Sequence, residues 1–119
     1  MVAPRQQQGF DAEAHAEALL TARGLLPIAR NVRFRGGEID LVMRDGPEWV
    51  FIEVRSRADG RFGGAAASVD ARKQRRLALA AQLFLLRRFG DAGWPACRFD
   101  VVAFEAGVPR WIRGAFTAQ

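Results

Sequence analysis

In the stretch GGEIDLVMRDGPEWVFIEVRSR, four ionisable residues stand where buried strands are expected: Glu38, Asp40, Glu53 and Arg55. Carboxylates are seldom fully buried unless they are paired or bind a metal. Asp40 and Glu53 are separated by a hairpin-sized interval, which can bring one carboxylate from each of two neighbouring strands together. Glu13 can reach the same place from a preceding helix. Crowded carboxylates repel and raise one another's pKa unless a cation sits between them, and oxygen ligands of this kind suit Mg²⁺ or Mn²⁺. Two residues past Glu53 and on the same face, Arg55 offers a fixed positive charge to a phosphate or its transition state. The set reads as phosphodiester hydrolysis. The plainer alternatives are a solvated acid at Glu13 and a salt bridge from Asp40 or Glu53 to Arg55 or Arg33.

The elements that must position these side chains follow from periodicity and breakers. Phe10, Ala14, Ala18 and Leu19 recur at helical spacing over Phe10 to Arg23, and Gly24 is a suitable stop. IARNVRFR sets Val32 and Phe34 against Arg33 and Arg35, and Gly36-Gly37 can supply the positive φ angles of a tight hairpin. In EIDLVM, Ile39, Leu41 and Met43 form an apolar set opposite Glu38 and Asp40. WVFIEVRSR is apolar at both parities to begin with, as a central strand covered on both sides would be. ADGRFGGAAA, residues 58–67, reads as a mobile loop directly after the acidic strand. Ser68 or Asp70 can cap a long helix that ends at Gly90, and its first half, DARKQRR, holds Arg72, Lys73, Arg75 and Arg76. Strands at RFDVVAF and RWIRGAF complete an αβββαβ order with one further strand, and the third and fourth strands are expected to pair in parallel across the long helix. The fold class is α/β, with a mixed central sheet flanked by helices. Residues 1–8 read as a loose tail, and residues 9–119 as a single domain.

The chain has 119 residues, 50% of them hydrophobic and 26% charged, which suits a folded domain and excludes a disordered one. The apolar run LALAAQLFLL is about half of what a membrane span requires, and the N-terminus lacks the apolar core of a secretory signal. With a single cysteine, Cys97, no internal disulfide can form, so the expected location is the cytoplasm. The net charge of +5 comes largely from arginine, a composition that favours phosphate contact but also follows from a genome rich in G and C. The four cations packed into Arg72 to Arg76, beside a glycine-rich segment, tilt the balance towards phosphate. His15 reads as an exposed helix residue, and Trp49, Trp94 and Trp111 as core or interface aromatics.

The motifs resemble a known family. Gly9, Glu13 and Ala16, RNVR at Arg30 to Arg33, GEIDLV at Gly37 to Val42, FIEVRSR at Phe51 to Arg57, the RKQRR helix and RFDVV at Arg98 to Val102 together look like the YraN-type family of small bacterial proteins. That family is similar in fold to the PD-(D/E)xK, or restriction-endonuclease-like, nucleases, and especially to archaeal Holliday-junction resolvases. The resemblance implies that Asp40 is the metal ligand of the first acidic strand and Glu53 the acid of the E-x-K element. It further implies that Val54 lends a backbone carbonyl to the metal and that Glu13 is the acid of helix one. Glu38 belongs to the GEID motif and has an arginine nearby to pair with; Gln74 falls where some nucleases of this fold use a helix residue to orient water.

The resemblance also implies Mg²⁺ or Mn²⁺ as cofactor, DNA rather than RNA as partner, and a homodimer. Arg33, Arg57, Arg61, Arg72, Lys73, Arg75 and Arg76 are the candidate nucleic-acid contacts. Arg55 departs from the nuclease pattern, which has lysine there: it keeps the charge but cannot act as a base, although a divalent cation can activate water without lysine. Three readings stay open at this level: a metal-dependent nuclease, a nucleic-acid-binding module without turnover, and a protein-interaction domain that keeps only the fold.

Overall fold

A computed structural model describes residues 11–58 and 63–118. Helix α1 spans Ala12–Ala22, followed by strands β1 (Leu26–Phe34), β2 (Gly37–Asp45) and β3 (Glu48–Arg57). A short helical turn, α2 (Gly64–Ala67), and the long helix α3 (Ala71–Phe89) lead to β4 (Cys97–Glu105) and β5 (Val108–Phe116). The five strands form one sheet in the order β1-β2-β3-β4-β5. Neighbours are antiparallel except β3 and β4, which run parallel from Trp49↔Cys97 to Arg57↔Glu105. The αβββαβ order with a fifth strand is therefore the observed architecture, and α3 supplies the crossover between the parallel pair.

Alternation along β3 divides the core between the two faces of the sheet. Val50, Ile52 and Val54 pack with Ala16, Leu20 and Leu25 from the α1 side, while Trp49 and Phe51 pack with Leu77, Ala80, Ala81 and Leu85 of α3. Each fully buried side chain of the Ile52 or Phe51 kind contributes about 1.5–3 kcal/mol. The β3 sequence is apolar at both parities because both of its faces are covered.

The structure departs from simple periodicity at several places. The buried stripe of α1 is Ala16 and Leu20, with Ala12 and Leu19 packed beside it, whereas Ala18 is exposed. The sheet selects that stripe, and Glu13 lies three residues before Ala16 on the same inward side. Alternation along β2 changes phase at Asp40: Leu41 and Met43 face α1, but Ile39 joins Val42 on the α3 side. Opposite that point, between the pairs Arg30↔Leu41 and Val32↔Ile39, Asn31 has a φ of 54°. Asn tolerates the left-handed region better than most residues, and a left-handed residue in a strand re-aims its neighbours.

Of the two hairpin glycines, only Gly36 has positive φ, at 89°. Gly37 serves a different need, because a Cβ there would lie 2.2 Å from the backbone carbonyl oxygen of Arg76. Its missing side chain lets α3 sit directly against β2. The segment read as a mobile loop contains the helical turn Gly64–Ala67, in which Ala65 packs with Val69 and with Val101 and Ala103 of β4. Small residues there allow close packing. The tail at residues 1–8, Phe10, and Arg61 lie outside the described residues.

Candidate functional site

The β2–β3 ladder runs from Asp45↔Glu48 to Leu41↔Ile52, and beyond it the two strands part. The Val54 amide is satisfied there by a side chain: it donates to Asp40 Oδ2 at 2.8 Å. Into this gap open Glu13 from α1, Asn31 and Arg33 from β1, Glu38 and Asp40 from β2, Glu53, Val54 and Arg55 from β3, and Lys73 from α3. The resulting pocket encloses about 290 Å³. A larger cavity of about 810 Å³, mostly apolar, lies beside α3 and includes Phe51, Leu85, Trp94 and Phe116, but it contains none of the acids. The candidate acids therefore gather at the smaller pocket.

Glu53 and Arg55, two residues apart on one face of β3, form an ion pair at 3.4 Å with both side chains mostly buried. The other end of the guanidinium is also held: Arg55 Nε donates to Ser68 Oγ at 2.9 Å, and the Ser68 hydroxyl donates to the Ala65 carbonyl at 2.6 Å. The Glu105 carboxylate in turn accepts from the Ala65 amide at 3.2 Å. Arg55 is thus fixed through the α2 turn to the end of β4.

The carboxylates bind protons more tightly than usual because they are close together and partly dry. Burial pushes Glu53 up to about 7, with the Asp40 charge adding to the rise and Arg55 and Lys73 opposing it. Asp40 is raised by burial against the opposing hydrogen bonds from Val54 N–H and Glu13. Glu13 is likewise raised, by burial and then by the Asp40 charge and a hydrogen bond to Asp40, while a bond from Asn31 works the other way. Facing carboxylates with raised proton affinity mark a place where a cation would take the place of protons.

Among the described residues, no group of three His, Cys, Asp or Glu side chains forms a ready ligand cage. Mg²⁺ does not require one, since it keeps several waters and is usually bound through one or two carboxylates. Asp40 and Glu53 on adjacent strands fit that pattern.

The remaining candidates divide by position. Glu38 sits at the exposed rim and approaches Arg33 at 4.0 Å, a solvent-screened pair of small energetic weight. Arg72, Arg75 and Arg76 are exposed on α3, Arg75 being turned to the larger cavity, and Arg57 is half-buried with its guanidinium on the Ser56 carbonyl. Gln74 also borders the larger cavity, and its amide donates to the Val69 carbonyl at 3.1 Å. His15 is exposed, with a ring nitrogen 2.8 Å from the Asp11 carbonyl. Two contributors escaped sequence reasoning: Asn31, which lines the pocket and bonds Glu13, and Ser68, which holds Arg55. An asparagine interrupting a strand of β-branched and aromatic residues was the available signal for Asn31. Ser68 offered none beyond its capping propensity.

A five-stranded mixed sheet covered by helices on both faces, with an acidic pocket where two central strands part, defines a small α/β protein with one polar, chemistry-bearing cleft. Residues 12–104 match the model of the Uncharacterised protein family UPF0102, and the chain belongs to that family. It is 58% identical to a UPF0102 protein of Xanthomonas euvesicatoria pv. vesicatoria, over 100% of this chain and 98% of that protein. It is 56% identical to one of Bordetella parapertussis, over 95% of this chain and 66% of that protein, and 58% identical to one of Burkholderia thailandensis, over 90% and 73%. The YraN-type resemblance carried by GEIDLV and FIEVR is thereby borne out. No helix among the described residues is long and apolar enough to cross a membrane.

Proposed function

We propose that this protein is a divalent-cation-dependent phosphodiesterase acting on DNA, of the PD-(D/E)xK type. The observation that carries this reading is the meeting of Asp40 and Glu53 with Arg55 and Lys73 around one polar pocket. When bound, Mg²⁺ or Mn²⁺ supplies activation of water and neutralisation of phosphate charge. Asp40, Glu53 and the Val54 carbonyl would hold it, with Glu13 bonded behind Asp40. Asp40 is aimed by the Val54 amide, and Glu53 by Arg55, so both carboxylates are oriented before any ligand arrives. Arg55 and Lys73 supply positive charge to the pocket. Arg33, Arg57 and the exposed arginines of α3 give the flanking phosphates a basic surface, and binding through them weakens as salt rises. Pairing of two copies on a branched substrate belongs to the same reading.

A second reading, a nucleic-acid-binding module without turnover, is favoured by Arg55 itself. It cannot take a proton from water, and two of its donors are committed to Glu53 and Ser68. One assay separates the two. Purified protein is incubated with labelled duplex, single-stranded, flap and four-way-junction DNA, with Mg²⁺, with Mn²⁺ and with chelator, beside Asp40→Ala. Metal-dependent cleavage that falls about 100-fold or more in Asp40→Ala supports the nuclease. Retarded bands without cleavage support the second reading, and cleavage that survives chelator rejects the metal site.

A further inference from the structure

We propose that Lys73, delivered by helix α3, is the catalytic cation that contacts the scissile phosphate, and that Arg55 is a positioning residue for Glu53. This rests on the phosphodiesterase reading above and names which of the two cations acting on Glu53, Arg55 or Lys73, touches the substrate.

Four basic residues lie in the first two turns of α3, and they differ in how they face the sheet. The buried stripe of the helix is Leu77, Ala80, Ala81 and Leu85. Lys73 precedes Leu77 by one helical step and is the member of the four that continues this stripe; it is half-buried, while Arg72, Arg75 and Arg76 are exposed. A solvated helix end has no need of a lysine on its inward face. Of the four, Lys73 alone borders the acidic pocket, and its positive charge acts on Glu53.

The backbone around Lys73 is set closely. Asp70 caps α3 by accepting the Lys73 amide at 3.0 Å, which fixes where the first turn begins. The open space at Gly37 seats the next turn against β2 at the Arg76 carbonyl. These two devices place the root of the lysine over the pocket, while its four-carbon stem leaves the ammonium three donors and freedom to follow a phosphate.

Arg55 is constrained in the opposite way. Its Nε is committed to Ser68 Oγ, a committed nitrogen of its fork lies on Glu53, and Ser68 is fixed to the α2 turn. A guanidinium tied at both ends orients a carboxylate well and reorients towards a new ligand poorly. The substrate contact therefore falls to the mobile ammonium, and holding Glu53 falls to the arginine.

The test compares wild type, Asp40→Ala, Lys73→Met and Lys73→Arg in steady-state cleavage of the best DNA substrate with Mn²⁺, with thermal unfolding of each to confirm folding. Lys73→Met is expected to lower kcat about 100-fold at nearly unchanged KM, with Lys73→Arg recovering part of the loss. If Lys73 merely neutralised Glu53, kcat would stay within about threefold of wild type while Asp40→Ala was inactive. That result overturns the inference and leaves the phosphodiesterase reading standing. If wild type cleaves nothing, that reading fails, and Lys73 is judged by binding of a short single-stranded oligonucleotide. Weakening of about tenfold in Lys73→Met, well beyond that in Arg72→Met, keeps the phosphate contact, whereas equal loss in the two overturns it.

Discussion

The protein contains two acid-rich clusters, one on the first half and one on the second half of the parallel β3–β4 pair, and they are built on opposite terms. At the start of β4, the Asp100 carboxylate is fully buried and accepts from Arg98 Nε at 3.0 Å, Trp111 Nε1 at 2.9 Å and the Gly114 amide at 2.9 Å. Arg98 also reaches Asp45 at 2.9 Å and Glu48 at 2.8 Å across the β2–β3 hairpin. Every acid there has a cation or a donor. At the other end, four acids, Glu13, Glu38, Asp40 and Glu53, line the pocket against three cations, Arg33, Arg55 and Lys73, and burial raises the proton affinity of Glu13, Asp40 and Glu53. A satisfied cluster fixes strands in place; an under-neutralised one is a site waiting for positive charge. The first cluster locks β5 and the β2–β3 hairpin onto β4, and the second is the one on which the proposed phosphodiesterase reading rests.

Breaking the satisfied cluster should have the largest effect. Asp100→Ala leaves the Arg98 charge and the Trp111 N–H short of a partner in the interior, and the expected loss is about 3–5 kcal/mol of stability, measured by chemical denaturation. A variant as stable as wild type would remove the contrast between the two ends.

The under-neutralised end should behave in the opposite sense. Because Glu53 is raised from 4.5 to about 7 in the folded protein, the fold binds its proton more tightly than the unfolded chain does. The stabilising effect is fully present below pH 4.5 and is lost as pH rises through about 7. Glu53→Gln removes the penalty of a buried charge, so it should unfold at a higher temperature than wild type at pH 8, by up to about 2–3 kcal/mol, with the difference vanishing near pH 4.5. Saturating Mg²⁺ should stabilise wild type at pH 8 and leave the variant unchanged. A higher melting temperature for wild type at pH 8 without metal would reverse the assignment.

The smallest effect is expected at Ser68, which ties Arg55 of the pocket to the α2 turn. Ser68→Ala removes one hydrogen bond to Arg55 and should cost about 1 kcal/mol, yet lower cleavage by more than that loss of stability explains, because Glu53 loses its fixed partner. Equal activity in the variant would show that the α2 turn does not support the site.

Much of the fold was legible because burial writes a period into the chain. The two-sided apolar run of β3, the Gly90 stop and the parallel pairing across α3 followed from patterns of apolar residues and breakers, which also offered Ser68 or Asp70 as the cap, of which Asp70 is the one used. The failures lie where tertiary contact chose among locally equal options. Alanines at 14, 16 and 18 offer α1 two faces, and the sheet takes the one at Ala16. Gly37 looked like a turn residue and is instead a point of close approach. The segment after β3 looked mobile because it is small and glycine-rich, and in the turn Gly64–Ala67 those same small residues let the chain fold against β4.

For the site, the sequence by itself determined the cast: acids at 40 and 53 at hairpin spacing, an arginine two positions on, and a basic turn opening the long helix. Residue type and period are local properties, so they survive without a structure. Only the tertiary structure decided which of those residues meet. The parting of β2 from β3, the phase change at Asp40 opposite Asn31 and the seating of α3 at Gly37 bring Glu13 and Lys73 to the same pocket from distant parts of the chain. Such proximity depends on how packed elements approach one another, which no local pattern encodes.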